Sequence, residues 1–182
     1  MQNFTDKVAV ITGGASGVGR ALALALADEG AKLVIADIEE NALQRCKAEL
    51  EERGAQCLAQ RADVTQPESM AALAEAAFTH FSGVHLVFAN AGVGTGEGGN
   101  MWEYSANDWE WGFRVNTWGL INTINAFVPR LVEQGEASVP HIREFLNKME
   151  DIDFVVQRSD EEGEGRGRGR GGRGEDVGSG RE

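Results

Sequence analysis

The sequence holds few of the residues from which metal and redox centres are built. It has two cysteines and three histidines. Cys46 and Cys57 stand in no metal-ligand or CxxC spacing, so both read as plain packing thiols in a reducing compartment. His80, His85 and His141 are scattered too widely to suggest a zinc site and read as surface or half-buried residues; no metal is expected. Long apolar runs are missing too. The longest, Ala21–Ala27, is far too short to span a bilayer. The first residues, Met1 to Lys7, are polar and lack the apolar stretch of a secretory signal. Basic residues are outnumbered, 17 Lys and Arg against 29 Asp and Glu, for a net charge of −12. Such a surface repels nucleic acid and anionic membrane. The expectation is a soluble, cytoplasmic protein.

What is present is an ordinary apolar content of 42 %, enough for one domain with a sizeable core. Four short apolar runs recur: Val8–Thr12, Leu33–Ala36, a weaker one at Gln56–Arg61, and Leu86–Asn90. Three are near-continuous in Val, Ile, Leu and Phe, which is how a strand buried on both faces reads. Helical patterns fill the gaps. Gly17–Glu29 is rich in Ala and Leu. Asn41–Arg53 carries Leu43, Cys46 and Leu50 on one face. Pro67–Phe81 opens with a first-turn proline and aligns Met70, Leu73, Ala77 and Phe81. Alternating strands and helices predict an α/β fold, a Rossmann-like doubly wound parallel sheet with right-handed crossovers. A long helix is expected from about Asn107 to Val132, bent or ended by Pro129. These elements place a dinucleotide-binding domain at residues 1–136. Residues 137–158 would add a short helix over Pro140–Met149 and a further strand over Asp153–Gln157. The tail, residues 159–182, is Gly, Arg, Glu and Asp with almost no apolar residue, and is expected to be disordered.

One motif carries chemistry. The first strand ends in Thr12-Gly13-Gly14-Ala15-Ser16-Gly17-Val18-Gly19 and runs into a helix. Gly13 allows a tight turn, Gly17 lets backbone approach a pyrophosphate, and Gly19 lets helix pack close on sheet. The helix N-terminus then offers free N–H groups and a positive dipole end to the phosphates. The bland alternative is a glycine turn with no ligand, which the strand–turn–helix context disfavours. Asp37 closes the second strand. A carboxylate there accepts hydrogen bonds from the adenosine ribose hydroxyls and repels a 2′-phosphate. Ala15, Ser16 and Ile38 offer no compensating cation, so NAD is expected over NADP. The alternative for Asp37 is a helix cap or a solvated side chain.

The spacing Thr-Gly-x-x-x-Gly-x-Gly resembles the short-chain dehydrogenase/reductase family. Three further matches follow in order. Asp63-Val64 resembles the pair that holds the adenine ring. Asn90-Ala91-Gly92 resembles the Asn-Ala-Gly motif that steadies the sheet beneath the cofactor. Asn116 resembles the helix asparagine that positions a water in the family's proton relay. The resemblance runs from Met1 to about Glu136. It implies an NAD-dependent oxidoreductase acting on an alcohol or carbonyl, with cofactor contacts at Gly13, Ser16, Gly17, Val18, Gly19, Asp37, Ile38, Asp63, Val64, Asn90, Ala91 and Gly92, and Asn116 as the one catalytic position matched. The family's catalytic serine and Tyr-x-x-x-Lys pair have no match after Gly135, so the chain reads as a truncated or rearranged form, weak or inactive as it stands. The one tyrosine, Tyr104, is followed four residues on by Asp108. A carboxylate there repels a phenolate instead of stabilising it, so Tyr104 is rejected as the acid/base.

Two other readings compete: a non-catalytic NAD-binding or partner-binding module, and RNA binding through the Arg-Gly run Arg166–Gly174. That run is short, lacks aromatics and is flanked by acids, which disfavours nucleic acid. All four tryptophans fall within Met101–Trp118, where helical spacing favours packing over the alternative of a substrate-side wall or contact surface. In the family this helix pairs with another to build a dimer interface. Without that partner, an apolar face on Gly119–Val132 of the long helix 107–132 is expected to be exposed, with poor solubility, an irregular oligomer or a stabilising partner as the consequence.

Overall fold

The structure, a computed structural model, describes residues 4–95 and 100–135. The elements are β1 (Val8–Thr12), α1 (Gly17–Asp28), β2 (Lys32–Asp37), α2 (Glu40–Glu52), β3 (Cys57–Arg61), α3 (Pro67–Phe81), β4 (Leu86–Phe88), α4 (Ala106–Phe113) and α5 (Gly119–Gln134). A 3₁₀ turn, Met101–Glu103, precedes α4, and a π-helical turn, Arg114–Trp118, joins α4 to α5. The four strands form one parallel sheet in the order β3-β2-β1-β4.

The period-two alternation of the strands decides which helix covers which face. Ala9, Ile11, Leu33 and Ile35 point to one side and pack with Leu22, Leu26, Leu43 and Leu50 of α1 and α2. Val8, Val10, Val34 and Ala36 point to the other and pack with Met70, Leu73 and Ala77 of α3 and Phe127 and Leu131 of α5. β1 is buried along its whole length, and so are the four central residues of β2. The continuous Val/Ile/Leu pattern of these strands therefore has its cause in cover on both faces.

Three boundaries differ from the sequence reading. β4 ends at Phe88, not Asn90, because the Asn90 amide turns back onto the Phe88 carbonyl and the Thr12 hydroxyl. The expected single helix is divided by the π turn. It begins earlier, at Ala106, where Ser105 caps the helix and Asp108 completes a capping box. Pro129 does not end it. α5 runs on to Gln134, held on both sides of the proline by buried Phe127 and Leu131, and stops at Gly135 in the left-handed conformation, φ 78°.

The tryptophans are a correction. Helical spacing suggested packing, yet none of the four is buried, and Trp102 is 82 % exposed. Leu120, Ile124 and Val132 are exposed apolar residues of α5, as expected for that helix. Among the described residues, no helix is long and apolar enough to cross a membrane. The helix expected over Pro140–Met149, the strand over Asp153–Gln157, and the Arg-Gly tail lie outside the described residues.

Candidate functional site

The C-terminal ends of β1, β2, β3 and β4 open on one side, and a cleft of about 390 Å³ lies there. It falls where open parallel sheets place their ligands, outside the carboxyl ends of the strands. Gly13, Ser16, Gly17, Val18, Asp37, Ile38, Asp63, Val64, Asn90, Ala91 and Gly92 all line it. The sequence-selected residues thus converge from four separate strand ends. Two do not line it. Gly19 packs against the Gly13 carbonyl, and the Asn116 side chain holds the Val93 backbone.

Thr12 begins the construction of the loop. It is buried, 1 % exposed. Its Oγ1 donates to the Phe88 carbonyl at 3.4 Å and accepts from the Asn90 and Ala91 amides at 3.1 Å each. Asn90 returns the contact: its Nδ2 donates to the carbonyls of Thr12, 3.1 Å, and Gly13, 3.3 Å. The turn after β1 is therefore bolted to the turn after β4. Gly13 has φ 63°, and a Cβ there would lie 2.9 Å from the Ala91 Cα. Gly19 is tighter still, since a Cβ would fall 2.1 Å from the Gly13 carbonyl oxygen.

Gly17 differs in kind. Its φ is 49°, but nothing lies within 4 Å of where a Cβ would stand. The space it leaves open is cleft. Gly17 also opens α1, so the first-turn amides have no intrahelical partner and stand free at the positive end of the helix dipole. Glycine at this position keeps an approach to those amides clear. The loop is fastened from beneath as well. The Gly14 amide donates to the Ala36 carbonyl at 3.0 Å, and the Cys46 thiol donates to the Gly14 carbonyl at 3.5 Å. Burial, the largest influence, pushes the Cys46 thiol above its ordinary pKa, so it stays protonated and able to donate.

Asp37 closes β2 with both oxygens engaged. Oδ2 accepts from the Ala15 amide and Oδ1 from the Glu39 amide, each at 3.1 Å. The second bond is an Asx-type turn that leads into α2. Each oxygen retains a further lone pair for a donor in the cleft. Asp63 makes the same kind of turn after β3, its Oδ1 accepting from the Thr65 amide and hydroxyl. Val64 beside it is held by α5: its carbonyl accepts from Asn122 Nδ2 at 2.9 Å, and its side chain packs where a Gly119 Cβ would intrude, 2.7 Å from Cγ2.

Asn116 sits on the π turn. Its Oδ1 accepts from the Val93 amide at 2.8 Å and its Nδ2 donates to the Val93 carbonyl at 3.0 Å. Both polar atoms of the side chain therefore hold the backbone of the segment after Gly92. A π turn is a common device for re-aiming residues near a site. Tyr104 lies instead against Trp109, ring centroids 5.8 Å apart. Asp108 is spent as a cap, accepting from the Ser105 amide and hydroxyl, and these bonds hold its carboxyl below the usual range. No group of three or more metal-binding side chains occurs among the described residues.

Sequence reasoning missed Ala36, Ala62, Val93, Trp111 and Val115, which also line the cleft. Trp111 had a signal, its place in the aromatic-rich segment before the helix, but that segment was read as packing. Thr12 had one too. A threonine at the end of an otherwise apolar buried strand needs a partner for its hydroxyl.

A model of the short chain dehydrogenase family matches residues 7–143. The chain is 43 % identical over 133 residues to 1-deoxy-11-beta-hydroxypentalenate dehydrogenase of Streptomyces exfoliatus, covering 73 % of this chain and 48 % of that one. It is 35 % identical over 136 residues to cyclohexanol dehydrogenase of an Acinetobacter species, covering 75 % and 54 %. A short-chain dehydrogenase/reductase from Burkholderia phymatum, solved in complex with NAD, superposes with a TM-score of 0.72 at 47 % identity, over 76 % of this chain and 49 % of that one. The chain spans about half the length of the curated relatives it matches. With the glycine loop, the sheet order and these likenesses in agreement, the chain belongs to the short-chain dehydrogenase family.

Proposed function

We propose that the cleft binds the adenosine half of NAD, and that the chain is the cofactor-binding part of an NAD-dependent oxidoreductase acting on an alcohol or carbonyl. The observation that carries this is Asp37. Its carboxylate is fixed by two backbone amides at the end of β2, beside a glycine loop whose one unobstructed glycine, Gly17, faces the cleft. In this reading the first-turn amides of α1 hold the pyrophosphate and Asp37 accepts from the ribose hydroxyls. Ile38, Asp63 and Val64 flank the adenine, and Ala91 and Gly92 form the floor. The dinucleotide, when bound, supplies hydride chemistry. Asn116 acts as a positioning residue for the segment that begins at Gly92. Proton transfer needs a further acid/base, and Tyr104, tilted against Trp109 and followed four residues on by the Asp108 carboxylate, does not supply it.

The test is a fluorescence titration of the chain with NADH and, in parallel, NADPH. Saturable NADH binding is expected, with NADPH weaker by about tenfold or more, a difference worth about 1.4 kcal/mol. Asp37→Ala should erase that discrimination. Equal affinity of the unmodified chain for both dinucleotides, or for neither, refutes the reading.

A further inference from the structure

The charge at the ribose end of the cleft is not set by Asp37 alone. Asp37 pairs in register with Arg61, the last residue of β3. Neighbouring strands lie about 4.8 Å apart, and residues in register project to the same face. Arg61 is exposed, and its Nε donates to the Ile38 carbonyl at 3.1 Å. The guanidinium is thus held against the turn that carries Asp37 and Ile38. Its two terminal nitrogens have no hydrogen-bond or ion-pair partner among the described residues. No hydrogen bond or ion pair joins them to Asp37, whose oxygens accept from the Ala15 and Glu39 amides. A fixed carboxylate that lines the cleft and a guanidinium with two free nitrogens therefore stand on adjacent strands, the guanidinium held against Ile38 of the cleft wall.

We propose that Arg61 is a specificity-determining residue: the Asp37 carboxylate and the Arg61 guanidinium, side by side on β2 and β3, together set the choice between a free ribose 2′-hydroxyl and a 2′-phosphate. With Asp37 in place the carboxylate repels the phosphate and outweighs the attraction of the neighbouring guanidinium. With Asp37 neutralised, the guanidinium is the near cation and takes the phosphate through its free N–H groups, a geometry arginine is built for. Glu39 and Glu40, next along the chain at the start of α2, add negative charge to this region and keep the gain moderate. This inference rests on the reading of the cleft as a dinucleotide site.

The experiment compares the unmodified chain, Asp37→Ser, Arg61→Ala and the double variant, each titrated with NADH and NADPH. Asp37→Asn, which keeps an oxygen in place for the Ala15 amide, replaces Asp37→Ser if the latter fails to fold by circular dichroism. The variant at position 37 should bind NADPH about tenfold more tightly than the unmodified chain, and adding Arg61→Ala should remove that gain. Arg61→Ala alone should change NADH affinity by less than about threefold. A purely structural Arg61 would lower both dinucleotides equally, and that result overturns the proposal. So does a gain in NADPH affinity that survives in the double variant, or no gain from either substitution at position 37. Failure of the unmodified chain to bind NADH refutes the dinucleotide reading itself, and the role of Arg61 with it.

Discussion

Replacing Gly17 and Gly19 by alanine, one at a time, separates the part of the loop that holds the fold from the part that faces the cleft. At Gly19 the new methyl would lie 2.1 Å from the Gly13 carbonyl oxygen and 2.6 Å from Asn90 Nδ2. That is more than about 1 Å inside an ordinary contact, and the nearest atom is backbone. Either α1 or the β1 turn must move, and the turn is fixed by Thr12 and Asn90. Overpacking of this kind costs about 1–3 kcal/mol, to which the loss of the Asn90 contacts would add about 1 kcal/mol. Gly17→Ala meets no atom, and its only cost is the left-handed backbone, about 1 kcal/mol. Urea denaturation followed by circular dichroism should therefore place Gly19→Ala well below Gly17→Ala in stability, by about 2 kcal/mol. NADH titration should show loss of binding in Gly17→Ala while that variant remains folded. Equal stabilities of the two variants, or undiminished NADH binding by Gly17→Ala, would refute this division of roles.

Thr12→Val keeps the shape of a buried side chain but removes its hydroxyl. The Asn90 amide retains the Phe88 carbonyl at 2.9 Å, whereas the Ala91 amide loses its hydrogen-bond partner. A loss of about 2 kcal/mol is expected in denaturant titration, with Thr12→Ser costing less than half of that. Cys57 supplies a pH prediction. Burial is the main influence that raises its thiol from an ordinary value of 9.0 to about 12. The unfolded thiol ionises at lower pH than the folded one, so the contribution is complete below about pH 9 and is lost as pH rises toward 12. The urea midpoint should fall more steeply above pH 9 in the unmodified chain than in Cys57→Ala, and parallel curves would contradict the burial argument.

How far the sequence could be read depended on whether a pattern had a local cause. β1 and β2 were legible because cover on both faces leaves a continuous apolar run. The glycine loop was legible because glycines at that spacing between a strand and a helix form a recognisable pattern, although Gly13 and Gly19 also answer demands set by Asn90 and Ala91. β4 was cut short by a contact with Thr12, far away in the chain, and no local pattern announces that. The π turn at Arg114–Trp118 carries Asn116 to the Val93 backbone, again a tertiary cause. The tryptophans were misread because periodicity names a face of a helix without saying whether anything covers it. Arg61 was passed over in weighing the charge near Asp37, since its neighbour in space is fixed by strand register, which the sequence does not print.

The bolts between Thr12, Gly13, Asn90 and Ala91 join residues 77 to 79 positions apart. A glycine loop is usually thought of as local, a turn that its own residues shape. Here its final form depends on a strand three crossovers later. A nascent β1–α1–β2 unit would hold the right residues and still lack the floor of the cleft, because the carbonyls of Thr12 and Gly13 find their donor only when β4 docks. Closing so long a loop is slow relative to local turns, and its entropy must be offset before these bonds form. A ligand that binds only the finished cleft draws the whole sheet toward closure, so occupancy and the completion of folding are two readings of one equilibrium.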